Sequence, residues 1–155
     1  MLGPMVNPSN PKNQLVGVFS LDVARLYHYL YQDTDKQFCI IHSLDGYDEI
    51  SLTGSFRALT RSTERTFAPA DLGLEAVGPA DIYGGTTVKA AAAIFLKILE
   101  GKGSRAQNDV VVSNAALAFY CLDEASGMDH CLGRARESLE SGRALKAFKQ
   151  LTESR

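Results

Sequence analysis

The chain has 155 residues, enough for one domain that buries roughly 70% of the surface its unfolded form exposes. Its 45% apolar and 22% charged residues sit near the averages of soluble globular proteins, which argues against disorder and fibrous architectures. Sixteen basic and eighteen acidic residues leave a net charge of -2 with no basic stripe, which disfavours nucleic acid; no apolar run approaches the roughly 20 residues a membrane span needs, so a cytoplasmic protein is expected.

The first fourteen residues carry Pro4, Pro8 and Pro11 among Asn7, Ser9, Asn10 and Asn13. Proline blocks helix and offers no backbone donor, so this stretch reads as an extended segment or loop. Leu15 to Phe19 is a short apolar run leading into Ser20, a residue able to cap a helix with Asp22 in its first turn. That helix aligns Val23, Leu26, Tyr27 and Leu30 on one stripe and is interrupted at Asp33-Thr34-Asp35. Phe38 to His42 follows as a second, continuous apolar strand. A strand-helix-strand unit of this kind implies parallel pairing, and the fold class is α/β: a mainly parallel sheet with an antiparallel hairpin, flanked by helices. Ligands of such sheets gather beyond the C-terminal strand ends, which directs attention to the segment after His42.

Ile50 to Phe67 alternates apolar residues with Thr, Ser and Arg, as a half-solvated hairpin would, with a turn at Ser62-Thr63-Glu64. Pro69 to Leu74 reads as a turn or a single helical coil. Four helices fill the remainder. The first starts after Gly84-Gly85, capped by Thr86 or Thr87, is expected to bury Val88, Ala91, Ala92, Phe95, Ile98 and Leu99, and stops at Gly101. The second runs from about Asn108 to Leu122 and is apolar nearly all round, as a buried helix would be. The third carries Met128, Cys131, Leu132, Ala135 and Leu139 and ends at Gly142; the fourth aligns Ala144, Leu145, Phe148 and Leu151. Cys39, Cys121 and Cys131 lie inside these apolar segments without paired spacing and read as buried reduced thiols.

The strongest chemical signal is Asp45-Gly46-Tyr47-Asp48-Glu49, three carboxylates in five residues at the C-terminal edge of an expected strand. Crowded carboxylates repel unless protons, water or a cation screen them, so the segment suits a hard divalent cation such as Mg2+. A solvated acidic turn is the plain alternative. Leu2-Gly3-Pro4-Met5-Val6-Asn7-Pro8 is the second signal: glycine permits close backbone approach and the prolines fix the path, giving either the wall of a flat pocket or a stiff linker. Gly84-Gly85-Thr86-Thr87 reads as a helix start, because no P-loop spacing accompanies it. His28 and His130 read as structural or exposed, and His42 as a hydrogen-bonded strand end.

In sequence and order these segments resemble the anthranilate phosphoribosyltransferases. The family's Leu-Gly-Pro-Leu-x-Asn-Pro segment is similar to Leu2 to Pro8, with Met5 in place of Leu, and its Asp-Gly-x-Asp-Glu-Ile-Ser segment to Asp45 to Ser51. Gly84-Gly85, Asn114-Ala115-Ala116 and the closing Ser141-Gly142-x-Ala144-Leu145 pattern extend the likeness along essentially the whole chain, although Thr86 to Ala90 depart from the family's usual acidic residues and Asn. The resemblance implies transfer of the phosphoribosyl group of phosphoribosyl pyrophosphate to anthranilate in tryptophan biosynthesis, with Asp48 and Glu49 binding Mg2+ and with Gly3 and Pro4 along the anthranilate channel. It also implies a homodimeric complete enzyme. The family's Gly-Thr-Gly-Gly-Asp phosphate loop, its Lys-His-Gly-Asn-Arg stretch and its anthranilate-binding arginine have no counterpart in residues 1–155. The expectation is therefore a C-terminal α/β portion with little transferase activity of its own. A pyrimidine nucleoside phosphorylase relative, and a noncatalytic phosphometabolite-binding or regulatory protein retaining the fold, are the alternatives.

Overall fold

The structure, a computed structural model, describes residues 3–153, so Leu2 of the proline-rich motif lies outside the described residues. A short 3-10 turn at Gly3–Met5 precedes β1 (Asn13–Gly17), α1 (Leu21–Gln32) and β2 (Gln37–Ser43). Ser20 caps α1, its Oγ accepting from the Val23 N–H at 3.3 Å. The resulting βαβ unit pairs β1 with β2 in parallel, Val16 opposite Ile40 and Gly17 opposite Ile41. β3 (Phe56–Thr60) and β4 (Glu64–Phe67) then add antiparallel neighbours in the order β1-β2-β3-β4. The sheet is thus mixed, and parallel pairing is confined to β1–β2, less than a mainly parallel sheet would have. The reason is the chain's route: a three-residue turn between β3 and β4 permits only antiparallel return, whereas parallel strands need a long crossover.

The expected Ile50–Phe67 hairpin is shorter than its alternating pattern suggests, since residues 50–55 leave the sheet and form part of the site described below. After a 3-10 turn at Pro69–Leu72 come α2 (Val88–Leu99), α3 (Arg105–Leu122), α4 (Met128–Glu140) and α5 (Arg143–Glu153). Thr87 is the cap of α2, its Oγ1 accepting from Ala90 N–H, and Ser104 with Gln107 forms a reciprocal capping box on α3. The Ser104 cap starts α3 three residues earlier than the apolar pattern alone indicates.

Period-two alternation in β2 divides the core. Phe38 and Ile40 join Val16, Leu59 and the α1 residues Ala24, Tyr27 and Tyr31 on one face. Cys39 and Ile41 join Phe56, Ala58 and residues of α3 and α4 on the other. Each fully buried aliphatic or aromatic side chain contributes on the order of 1.5–3 kcal/mol relative to exposure, so the larger, α3-side cluster carries most of the stability. All three cysteines are free and buried, as expected.

α2 departs from its expected burial. Only Ile98 and Leu99 are buried, whereas Val88 is 88% exposed and Phe95 46% exposed. The helix engages through its last turns and through an edge-to-face contact between Phe95 and Phe148, ring centroids 5.1 Å apart, and its remaining apolar side chains face outward. In α3 the buried stripe is Val112, Ser113, Ala116, Leu117 and Cys121, while Val111 and Leu122 are exposed, so it is a one-faced helix and not a fully enclosed one. α4 buries Cys131, Leu132, Ala135 and Leu139 as its spacing requires.

The β3–β4 turn is tied to the end of α3 by one carboxylate. Glu124 accepts hydrogen bonds from the hydroxyls of Thr60 (2.9 Å), Ser62 (2.8 Å), Thr63 (3.2 Å) and Tyr120 (3.2 Å). Burial pushes this carboxyl upward, but the hydrogen bonds from Ser62, Thr60, Tyr120 and Thr63 outweigh burial and hold it below the ordinary carboxylate value.

Candidate functional site

β2 ends at Ser43, and the chain folds back on itself at once. Gly46 N–H donates to Ser43 O (3.0 Å), Ser43 N–H to Tyr47 O (2.9 Å), and Ser43 Oγ to Glu49 O (2.6 Å). Gly46 has φ of 101°, a conformation open to glycine and strained for other residues. Leu44 N–H donates to Ser55 O at 2.8 Å, closing residues 44–55 into a compact loop at the C-terminal end of the parallel pair.

Four further contacts fix this loop. Asp45 is used internally, accepting from the hydroxyls of Ser51 (3.4 Å) and Thr53. Its carboxylate also abuts Gly54, where an added Cβ would lie 3.2 Å from Oδ2. Leu52, fully buried, is held at a positive φ of 60°, and its carbonyl accepts from Val77 N–H at 3.0 Å. The Asn114 side chain of α3 pairs with the backbone of Ile50 in both directions: Ile50 N–H donates to Oδ1 (2.9 Å), and Nδ2 donates to Ile50 O (2.8 Å). Finally, Gly17 at the end of β1 approaches the loop so closely that a Cβ there would sit 1.8 Å from the Asp48 carbonyl oxygen.

The fixed backbone presents Asp48 and Glu49 outward. Both are exposed, and among the described residues neither carboxylate has a hydrogen-bond or ion-pair partner. Of the three acidic side chains, then, one locks the loop and two are free to bind. No group of three or more His, Cys, Asp or Glu side chains suited to a metal occurs among the described residues. Two carboxylates do not make a tetrahedral zinc site, but they fit Mg2+, which is commonly held by one or two carboxylates and completed by water and phosphate oxygens.

Gly3 and Pro4 are placed elsewhere. Both are exposed in the first 3-10 turn; Pro4 O accepts from Gln14 Nε2 at 2.5 Å, and Met5 packs on the α1-side cluster. Among the described residues no hydrogen bond or ion pair joins Gly3 or Pro4 to Asp48 or Glu49. His42 is buried, its Nδ1 2.8 Å from Val18 O, in the structural role its position suggests. A cavity of about 690 Å3 is lined by α3 and α4 residues including Arg105, Asp109, Arg136 and Glu140, away from residues 44–55. Both of its arginines pair with Asp109, Arg136 at 3.4 Å and Arg105 at 3.5 Å, so size alone does not mark the reactive centre.

Residues 1–145 match the family model described as the glycosyl transferase family, a/b domain. The chain belongs to this family. Among curated members it is 52% identical over 151 residues to the anthranilate phosphoribosyltransferase of Christiangramia forsetii, a match covering 97% of this chain and 45% of that protein. It is 51% identical over 153 residues to that of Flavobacterium johnsoniae, covering 99% of this chain and 46% of the relative. The chain therefore spans just under half the length of the curated relatives it matches. Among solved structures, anthranilate phosphoribosyltransferase from Thermus thermophilus superposes with a TM-score of 0.85 at 25% identity, over 96% of this chain and 45% of that one. The Saccharomyces cerevisiae enzyme, in complex with PRPP and Mg, does so with a TM-score of 0.84 at 22% identity, over 96% of this chain and 43% of that one, a likeness of fold.

The support that two residues give to this loop is not visible in the sequence. Gly17 carries no spacing signal, since its importance is a tertiary approach between β1 and the loop. Asn114 stood out as a family-like position, but its partner is 64 residues away and no local pattern discloses it.

Proposed function

We propose that this chain supplies the metal-diphosphate side of a phosphoribosyl-transfer site, with Asp48 and Glu49 as the residues that hold Mg2+. The observation that carries the reading is the pair of free, exposed carboxylates on a loop whose backbone is fixed at Glu49, Ile50 and Asp48. In the whole protein the reaction would be the one named for its relatives, transfer of the phosphoribosyl group from phosphoribosyl pyrophosphate to anthranilate, with pyrophosphate leaving, in a cytoplasmic homodimer. The bound cation would neutralise charge on the departing diphosphate, a contribution worth several kcal/mol in transferases that use metal ions this way. The protein's share is placement: two carboxylates held at one point, so that metal and diphosphate enter in a single orientation. Gly3 and Pro4 are assigned to the anthranilate side on sequence likeness, where shape and not proton transfer would be their role.

Calorimetric titration with pyrophosphate tests this. Binding should require Mg2+ and fall at least about tenfold in Asp48→Asn and Glu49→Gln, the loss of one charge-assisted contact being worth roughly 1.5–3 kcal/mol. Binding indifferent to Mg2+ and to both substitutions would remove the metal assignment.

A further inference from the structure

We infer that Asn114 is the positioning residue of the acidic pair: its side-chain amide serves as the hydrogen-bond partner of Ile50 and thereby sets where Glu49 and Asp48 project. The inference rests on the metal reading above and deepens it. Ile50 is fully buried and follows Glu49 directly, yet it belongs to no strand, so its N–H and C=O have no ladder to join. A buried backbone pair left unmatched is costly, and Asn is among the few side chains that carry a donor and an acceptor side by side. Asn114 supplies both, at 2.9 and 2.8 Å, as a neighbouring strand would.

The amide is itself held. Nδ2 also donates to Val110 O, one turn earlier in α3, at 2.9 Å. Ser113 and Ala116 of the same helix are buried, so rotating α3 to turn Asn114 away would expose them. Since Ser43 Oγ grips Glu49 O at 2.6 Å from the other side, Glu49 is fixed between β2 and α3. The sheet thus sets the loop's start and α3 its exit. The carboxylates themselves make no bond to Asn114 and are left for a ligand.

The test uses the 155-residue chain with Asn114→Ala, Asn114→Asp, and Leu139→Ala as a control for general destabilisation. Leu139 is buried in α4, in the same core cluster as Ile50, but lies outside the loop and makes no hydrogen bond to it. Two measurements are made well below each variant's melting temperature: amide hydrogen exchange across residues 44–50, and Mg2+-dependent pyrophosphate affinity. Asn114→Ala should speed exchange at Ile50 by tenfold or more and weaken affinity by about tenfold or more, because displacements near 1 Å suffice for large losses of productive geometry. Leu139→Ala should leave both unchanged relative to its neighbours. Asn114→Asp keeps the acceptor for Ile50 N–H but sets an anion against Ile50 O and Val110 O. Positioning predicts weaker metal binding in this variant despite the added negative charge; stronger binding would show that charge and not placement governs the site and would overturn the inference. Unchanged exchange and affinity in Asn114→Ala, with wild type binding normally, sinks the clamp and spares the metal reading. Loss of protection in a chain that never binds Mg2+-pyrophosphate sinks the metal reading and spares the clamp.

Discussion

Replacing Gly17 by alanine sets two known effects against each other. Gly17 is the last residue of β1, its backbone lies outside the left-handed region, and alanine there should by itself stabilise an extended segment by about 0.5–1 kcal/mol. The new methyl, however, would sit 1.8 Å from Asp48 O and must open that gap beyond 3.0 Å, a movement of the loop or of the strand end. If the loop is rigidly clamped, overpacking dominates and stability falls by about 1–3 kcal/mol. If the loop yields, the intrinsic gain survives and stability rises slightly. Where the loop yields, Asp48 is displaced by more than the tolerance of a coordinated ligand, and Mg2+-dependent pyrophosphate binding should weaken by about tenfold to a hundredfold; where the strand end yields, the loss should appear in stability. Urea denaturation gives the first quantity and calorimetry the second, with backbone amide shifts at Asp48 and Glu49 reporting the displacement. A variant that is more stable, binds as wild type and shows unmoved amides at both residues would refute the account of the β1 end as a support for the site.

Glu124→Gln should destabilise the chain by about 1–2 kcal/mol at neutral pH, since a carboxylate accepting from four hydroxyls is exchanged for a neutral amide. Because the folded carboxyl is held below its usual value, its contribution is fully present above the unfolded pKa near ~4.3 and is lost as pH falls through the lower folded value. The difference in melting temperature between the two proteins should therefore be widest near neutrality and close below about pH 4; a gap constant with pH would contradict the assignment. Burial pushes the thiols of Cys39, Cys121 and Cys131 up, Cys39 furthest, its neighbours Cys121 and Glu124 adding to burial, so thiol reagents at pH 8 should label none of them until the chain unfolds. Rapid labelling of Cys39 in native protein, read by mass spectrometry, would count against the packing of β2 on α3.

What was legible in the sequence follows from the range of the interactions. The first βαβ unit rests on signals carried by adjacent residues, the apolar run Phe38 to His42 and the Ser20 cap, but the apolar stripe of α1 is only partly right: Tyr27 faces the core, Leu26 and Leu30 are exposed, and Ala24 and Tyr31 are buried instead. The acidic triplet was visible for the same reason, being consecutive in the chain. Its division of labour was not, because Asp45 is removed from ligand binding by Thr53 and Ser51, eight and six residues on, in a loop whose shape depends on a positive-φ Leu52. An alternating pattern over 50–55 looked like strand for the same cause: buried Ile50 and Leu52 alternate with polar residues, but their burial is against α3 and not within a ladder.

α2 illustrates the opposite failure. Its periodicity correctly makes it a helix, and Thr87 correctly starts it, yet an apolar stripe specifies only that a face can be covered, not that this stretch of chain covers it. Val88, Phe95 and Leu96 remain exposed, as do Val111 and Leu122 on α3. The acidic loop differs from α2 in that every contact fixing it comes from within the described residues: β1 through Gly17, β2 through Ser43, α3 through Asn114. A ligand-binding loop supported on three sides by its own domain can keep its geometry whether or not other apolar faces find partners. For this reason metal-dependent pyrophosphate binding, and not turnover, is the property by which the site in residues 1–155 should be judged.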